Sequence, residues 1–257
     1  MSAPTRRLAM ALPVILTVVI AAVIGVLVVV QDQRQSQQVD EAETTALDYL
    51  ADVQQFRTSV IAKVEAADAT DPGGLSTVID RAIADPPRLA DAPAYGREHS
   101  PSYAEALQTE ATVLRPFKRL SATLRRADVA LDFIVAARKV LELRATDYVG
   151  YGFITTSSRV RNELIPAFVR ARDAFDRVRV PKGQEDLAQE VRDAAQYVVD
   201  QATLLADRIE SRQSFSFSYA EEFLAVAEAV DDYATVVKGD VAEAIAEVTA
   251  DTGAGRP

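Results

Sequence analysis

Cysteine is absent from this chain of 257 residues, and its absence excludes several kinds of chemistry and crosslink. The chain has no disulfide, thiolate metal site, cysteine nucleophile or cysteine for lipid attachment. A folded domain made from this sequence must therefore be held together by its hydrophobic core, and residues 31–250 are numerous enough to form one.

Histidine occurs once, at His99, and tryptophan does not occur. A single histidine without partner ligands is more typical of a solvated loop residue than of a metal site. The sequence also lacks a Glu-x-x-His pair, a glycine-rich phosphate loop and a nucleophile elbow. We therefore expect a protein that is not an enzyme, with no catalytic residue, no cofactor and no bound metal.

Glycine and proline are sparse, with 10 and 11 residues, and several of them cluster between stretches of helical periodicity. Alanine and valine are abundant, which favours a helix-rich fold. The fold class that we predict is all-α, with an N-terminal transmembrane helix continuing into an extracytoplasmic, antiparallel up-down bundle of four to five long helices.

The segment Leu8–Val30 contains 23 consecutive uncharged, mostly apolar residues. As a helix it would be about 35 Å long, enough to cross a hydrocarbon core of roughly 30 Å. Arg6 and Arg7 precede the segment and acidic residues follow it, so the positive-inside rule places residues 1–7 in the cytoplasm and the rest of the chain outside. A cleaved signal peptide is the alternative, but the segment is long and lacks an A-x-A-like site.

Heptad spacing continues beyond the apolar segment. The residues Val39, Ala46, Val53 and Val60 recur every seven positions, and Ala42, Tyr49 and Phe56 occupy the second apolar position of the heptad. This pattern predicts one apolar stripe along a helix that ends before the Pro72-Gly73-Gly74 turn. We assign 31–250 to the bundle, 70–101 to a proline-rich, membrane-distal cap and 251–257 to a disordered tail.

The later helices are interrupted at recognisable residues. Pro116 predicts a kink or a split in the helix that follows Ser102, for which Ser102 and Glu105 suggest a capping box. Pro166 predicts another kink. Residues 184–250 form either one continuous helix or two helices broken at 214–218, and the periodicity does not decide between them.

Charge is distributed in blocks within a chain of net charge −10. Residues 115–179 contain 14 basic and 7 acidic residues, whereas 180–257 contain 6 basic and 16 acidic residues. We expect opposite charges to meet across the contacts between helices. The alternative is a basic face for anionic lipid or a cell-wall polymer, whereas nucleic acid is not an expected partner.

Aromatic residues are concentrated in two short segments. Six of the 17 tyrosines and phenylalanines lie there, and they are Tyr148, Tyr151, Phe153, Phe215, Phe217 and Tyr219. From helix lengths we expect both segments near the lipid surface, where aromatic rings are favoured. These six residues are candidates for an interfacial contact, and plain packing at the end of the bundle is the alternative.

The expected function follows from this layout. We predict a single-pass membrane protein that acts as a non-enzymatic interaction or scaffold component of the bacterial cell envelope, with the lipid bilayer and another protein as partners. The layout also resembles the sensory domains of bacterial chemoreceptors. That resemblance implies the alternative, a ligand-binding sensory subunit that signals through a partner. The oligomeric state stays open.

Overall fold

A computed structural model describes residues 8–68, 70–150 and 154–250, with side chains described from residue 33 onward. Within these ranges the ordered elements are helices and no strand occurs, so the all-α prediction is confirmed. Among the residues whose side chains are described, no helix is both long and apolar enough to cross a membrane. The segments Leu8–Val30 and 251–257, on which two predictions depend, lie outside that set.

The described part of the chain contains ten α-helices and one π-helical segment, joined by turns and loops. The longest helices are α1, α5, α9 and α10. In chain order the elements are α1 (Leu8–Glu65), α2 (Pro72–Ala82), α3 (Ala94–His99), α4 (Pro101–Thr112), α5 (Arg115–Leu141), α6 (Thr146–Val149), α7 (Ser157–Arg159), the π-helical segment (Val160–Leu164), α8 (Ile165–Phe175), α9 (Glu185–Glu210) and α10 (Ala220–Ala250).

The chain divides into two compact units. Unit 1 combines the chain up to Ile61 with Ile83–Arg115, and unit 2 combines Ala62–Ala82 with the chain from Pro116 onward. The proline-rich segment 70–101 thus contributes to both units. Its predicted membrane-distal position stays a prediction.

Unit 1 is built on the predicted heptad stripe of α1. The stripe residues are buried or half-buried, whereas their neighbours on the other side of the helix are exposed. Most of them form one cluster with residues of the 83–115 segment, and its buried members are Ala42, Ala46, Tyr49, Val53, Ala92, Tyr103, Ala106 and Val113. The stripe therefore provides the hydrophobic face on which this unit assembles.

The short helix α3, which the sequence pattern does not predict, lies very close to α1. A Cβ atom at Gly96 would overlap the carbonyl oxygen of Gln38 and would lie 2.8 Å from the Cβ of Ala42. Only glycine leaves space for this approach of one helix backbone to another. Gly96 is buried although it has no side chain to pack.

The cap of α4 differs from the predicted one. Ser100, not Ser102, is the N-cap residue, and its hydroxyl accepts a hydrogen bond from the backbone N–H of Tyr103 at 3.2 Å. The reason is Pro101, which has no N–H to leave unsatisfied and whose fixed φ suits the first helical position. The prediction of a capping box at Ser102 and Glu105 was wrong by two residues.

Prolines break the helices where the sequence predicts. The helix after Ser100 splits, since α4 ends at Thr112 and α5 begins at Arg115, with Pro116 in its first turn. Before Pro166 the backbone widens into the π-helical segment Val160–Leu164. Proline removes one helical hydrogen bond and crowds the carbonyl four residues earlier, and a wider turn relieves that crowding.

The open question about residues 184–250 is answered by a break. After α9, the N–H of Gln213 donates to the carbonyl of Arg208 at 2.8 Å, and that of Arg212 donates to Ile209 at 3.1 Å. These two bonds form a Schellman motif, and Arg212 takes the left-handed conformation (φ 55°) that glycine usually occupies there. The chain then runs without helix or strand until α10 begins at Ala220.

Opposite charges meet across the helices of unit 2, as the charge blocks predict. Arg119 pairs with Glu243 and Glu247, and Arg138 pairs with Asp231, both between α5 and α10. Arg161 pairs with Asp207 and Glu210 of α9. These side chains are largely exposed, so the pairs contribute little to stability and mainly favour one arrangement of the helices.

Candidate functional site

The predicted aromatic residues meet at one end of unit 2. Tyr148 lies on α6, and the extended segment 213–219 places Phe215, Phe217 and Tyr219 in the same hydrophobic cluster. The two serines between these aromatic residues, Ser216 and Ser218, are exposed, whereas the aromatic residues are half-buried. The alternating sequence therefore reflects an extended segment with one face on the helices, without a partner strand.

Tyr219 holds this extended segment in place. Its hydroxyl oxygen accepts a hydrogen bond from the backbone N–H of Ala145 at 2.8 Å. Its ring lies 5.0 Å from that of Phe223 and 6.0 Å from that of Phe168, both nearly edge to face. Phe217 lies 5.5 Å away on the other side. Such geometries suit the aromatic quadrupole and join the segment to α8 and α10.

An open cleft of about 660 Å³ lies beside this cluster, and we call it the aromatic cleft. It is lined by Ala145, Thr146, Val149 and Gly150, by Ile154 and Thr155, by the end of α9 and by the extended segment. The turn at one side depends on Gly150, whose φ of 81° is unfavourable for other residues. Polar groups from Thr146, Thr155 and Gln213 interrupt an otherwise apolar wall.

The outcome for the predicted site residues is mixed. Tyr148, Phe215, Phe217 and Tyr219 are brought together, whereas Tyr151 and Phe153 lie outside the described residues. Arg6 and Arg7, predicted to orient the chain in the membrane, also lie outside them. The interfacial role of the aromatic residues stays a prediction.

A second open cleft, of about 680 Å³, lies elsewhere in unit 2, and we call it the basic cleft. The middle of α5, residues 179–185 and the middle of α10 form its walls. Its basic residues are Arg125, Arg126, Arg179 and Lys182. The sequence indicates a turn at 180–183 and a basic block around it, but only the fold brings α10 to the same place.

Tyr233 of α10 lies between the core and the basic cleft. Its ring packs edge to face on Phe133 at 6.2 Å, and the residue also lines the cleft. Burial, with a smaller contribution from the nearby carboxylate of Asp240, raises the pKa of the Tyr233 hydroxyl. The hydroxyl therefore stays protonated at neutral pH and is available as a hydrogen-bond donor at the cleft wall.

The charged residues near the aromatic cleft are engaged with each other. The guanidinium of Arg161 and the hydroxyl of Ser157 lower the pKa of Glu210, and the pKa of Arg161 is raised by Glu210 and Asp207. Both groups are ionised at neutral pH, so they stabilise the contact of the π-helical segment with α9 and are not poised for proton transfer.

The acidic side chains and the histidine were compared with the requirements of a metal site. Within the ranges that the structure describes, no group of three histidine, cysteine or acidic residues is placed to hold a metal ion. His99 lies on α3, where its ring stacks on Tyr95 at 3.9 Å and its Nδ1 is 2.9 Å from the Tyr95 carbonyl oxygen. This ring has a local packing role in unit 1.

Comparison of the chain with models of protein families, with curated proteins and with solved structures found no match. The two clefts and the helical architecture are therefore the basis on which a function is argued.

Proposed function

We propose that this protein is a membrane-anchored, non-enzymatic interaction component of the bacterial cell envelope, with its helical units outside the membrane. The observation that carries the proposal is the continuity of α1. This single helix extends from Leu8 to Glu65 and so contains both the uncharged segment Leu8–Val30 and the buried stripe of unit 1. A helix of this kind joins an anchor to a folded domain without a flexible linker.

The orientation rests on charge. Arg6 and Arg7 precede the apolar segment, and Asp32, Asp40 and Glu41 follow it. Basic residues favour the cytoplasmic side of a membrane helix, so the short N-terminus stays inside and the units are exported. In this arrangement the bilayer and an envelope protein are the expected partners.

The aromatic cluster beside the aromatic cleft supplies a candidate surface for the lipid interface. Tyr148, Phe215 and Phe217 are half-buried, so each ring has an apolar side in the cluster and a side that water reaches. Rings of this kind are favoured where an apolar phase meets a wet one. Replacing Tyr148 and Phe217 with serine should weaken the association of a fragment that lacks residues 1–30 with liposomes.

The absence of cysteine allows a clean test of the anchor and its orientation. We would introduce one cysteine at a time, Ser2→Cys in the N-terminus or Ser216→Cys at an exposed position of unit 2. A maleimide that cannot cross membranes should label the Ser216→Cys chain in intact spheroplasts, and the Ser2→Cys chain only after permeabilisation. Both should remain in the membrane pellet after an alkaline carbonate wash.

Two results would contradict the proposal. Labelling of Ser2→Cys but not of Ser216→Cys in intact spheroplasts would reverse the orientation. Release of the chain by carbonate, together with a mature N-terminus beyond Val30, would show that the apolar segment is a cleaved signal peptide.

A ligand-binding sensory subunit is the second candidate function. The observation that favours it is the pair of clefts, since both exceed the roughly 300 Å³ at which small-molecule sites begin. Proximity labelling in the native cell separates the candidates, because an interaction protein should have a stable set of neighbours and a sensor should exchange neighbours when its ligand is supplied.

A further inference from the structure

We propose that the basic cleft of unit 2 binds a small amphipathic anion, that is, a free molecule with an apolar body and one carboxylate, sulfonate or phosphate group. The cleft volume of about 680 Å³ suits a molecule of that size. This inference goes beyond the proposed function and does not depend on membrane attachment.

The charge of the cleft selects for an anion. Four basic side chains line it against two acidic ones, Glu185 and Asp240. Arg125 is already paired with Asp80, but Arg179 and Lys182 are exposed and form no ion pair with any carboxylate that the structure describes. With the Arg125–Asp80 pair taken as neutral, three cations are set against two carboxylates, which leaves the cleft a net positive charge in a chain of net charge −10.

The cation on the α5 wall is also available. Arg126 donates one hydrogen bond at 3.0 Å to the hydroxyl of Thr123 on its own helix, which leaves other N–H groups of the guanidinium for a ligand. Guanidinium and ammonium groups on facing walls hold an acidic group by charge-assisted hydrogen bonds. The anionic group would therefore lie between Arg126 and the pair Arg179 and Lys182.

The rest of the lining is apolar and favours a ligand with an apolar body. Val236 of α10 is 58% exposed, and Val237, Val241 and Val180 are half-buried around it. Covering these side chains would remove apolar surface from water, at about 25 cal/mol per Å². An inorganic anion would gain nothing from this surface, so inorganic phosphate should be a poor competitor.

A photoreactive pair of probes tests the site in the full chain. 4-Benzoylbenzoate carries a carboxylate on an apolar, photoreactive body, and 4-benzoylbenzamide is its neutral counterpart. With the full chain in phosphatidylcholine nanodiscs, the acid should give saturable labelling of peptides from 123–130 and 233–241, located by mass spectrometry. The amide should need about a tenfold higher concentration for the same labelling, as expected for one lost charge-assisted contact.

Matched variants separate the cleft from net charge. Arg179→Gln with Lys182→Gln should reduce the apparent affinity for the acid about tenfold and leave labelling by the amide unchanged. Arg170→Gln with Arg177→Gln makes the same charge change at exposed positions outside the cleft and should leave both probes unaffected. Circular dichroism confirms that each variant is folded.

Two kinds of result would contradict the anion site in the basic cleft. Equal labelling by acid and amide, or an unchanged affinity in the Arg179→Gln and Lys182→Gln variant, would remove the anion site. Loss of labelling in nanodiscs of phosphatidylglycerol, with no competition by dodecanoate, would assign the site to a bilayer headgroup instead of a free anion. Competition by dodecanoate in both kinds of nanodisc supports the proposal.

Discussion

Unit 1 brings α3 against α1 at backbone distance, whereas unit 2 spaces its helices with large side chains. In unit 1 the carbonyl of Gln38 occupies the space that a Cβ of Gly96 would need. In unit 2 the aromatic rings of Phe133, Phe168 and Phe223 fill the space between helices. The packing of unit 1 therefore depends on one small residue, whereas that of unit 2 depends on the volume of several aromatic side chains.

The two units also differ in whether their polar side chains have hydrogen-bond partners. In unit 1 the hydroxyl of Tyr49 is buried with no hydrogen-bond partner among the described residues, and burial followed by the charge of Glu110 raises its pKa. In unit 2 Arg119 and Arg138 pair with carboxylates across the helices, and the Tyr219 hydroxyl is hydrogen-bonded. A polar group that is buried without a partner lowers stability, so the Tyr49 hydroxyl is a cost to unit 1, and no such group is found in the described part of unit 2.

The largest expected effect is in the core of unit 2. Phe168 is fully buried and contacts the rings of Tyr219 and Phe223, so Phe168→Ala should remove about 3–5 kcal/mol of unfolding free energy. Urea denaturation of the full chain, followed by hydrogen exchange of peptides from 160–230, measures the loss. Phe168→Leu, which keeps most of the volume, should cost clearly less. Equal losses of unfolding free energy in both variants would mean that the volume of side chain 168 does not determine the stability of unit 2.

The next effect tests whether unit 1 depends on one position. Gly96→Ala should lower the stability by about 3 kcal/mol, because α3 must move away from α1. The control is Gly239→Ala on α10, where an added Cβ meets nothing within 4 Å. There alanine should stabilise the helix by about 0.8–1 kcal/mol. Unchanged hydrogen exchange in 83–112 for Gly96→Ala would refute the close packing that we describe.

A smaller change concerns the aromatic cleft alone. Tyr219→Phe keeps the ring but leaves the buried N–H of Ala145 without its acceptor, which should cost about 1–2 kcal/mol. Tyr233→Phe is the matched control, since no hydrogen bond of its hydroxyl to a described residue is seen, and it should change stability by less than about 0.5 kcal/mol. Thermal unfolding followed by circular dichroism compares the two. If both cost the same, the Ala145 bond does not contribute.

The sequence predicts these features unevenly, for physical reasons. The heptad stripe of α1 and the split at Pro116 follow from local rules on periodicity and proline, and they are found. At Pro166, where a kink is predicted, the helix changes into a π-helical segment. The break after α9 depends on Arg212 in a left-handed conformation, which residue type does not signal. The close contact at Gly96 and the basic cleft depend on residues far apart in sequence, so periodicity carries no information about them.

The smallest expected effect is electrostatic and depends on pH. The hydroxyl of Ser121 donates to Asp80 at 2.7 Å and, with the guanidinium of Arg125, lowers the pKa of Asp80 against the opposing effect of burial. Because the folded-state pKa is the lower one, this contribution is present above the unfolded pKa of about 3.9 and is lost as the pH falls through the folded value.

Asp80→Asn should therefore be less stable than the parent chain by about 0.5 kcal/mol at pH 7, a small value because the side chain is 37% exposed. The gap should close as the pH falls below about 4. In a chain that carries Ser121→Ala, Asp80→Asn should cost much less stability, since the Ser121 hydroxyl is the largest cause of the lowered pKa of Asp80. Asp48→Asn makes the same change of net charge at an exposed site and is the control. If the difference in unfolding free energy between the parent chain and Asp80→Asn stays constant from pH 7 to pH 3 in urea titrations, Asp80 acts through packing and not through its charge. At this position unit 2 would then depend on packing, as unit 1 does at Gly96.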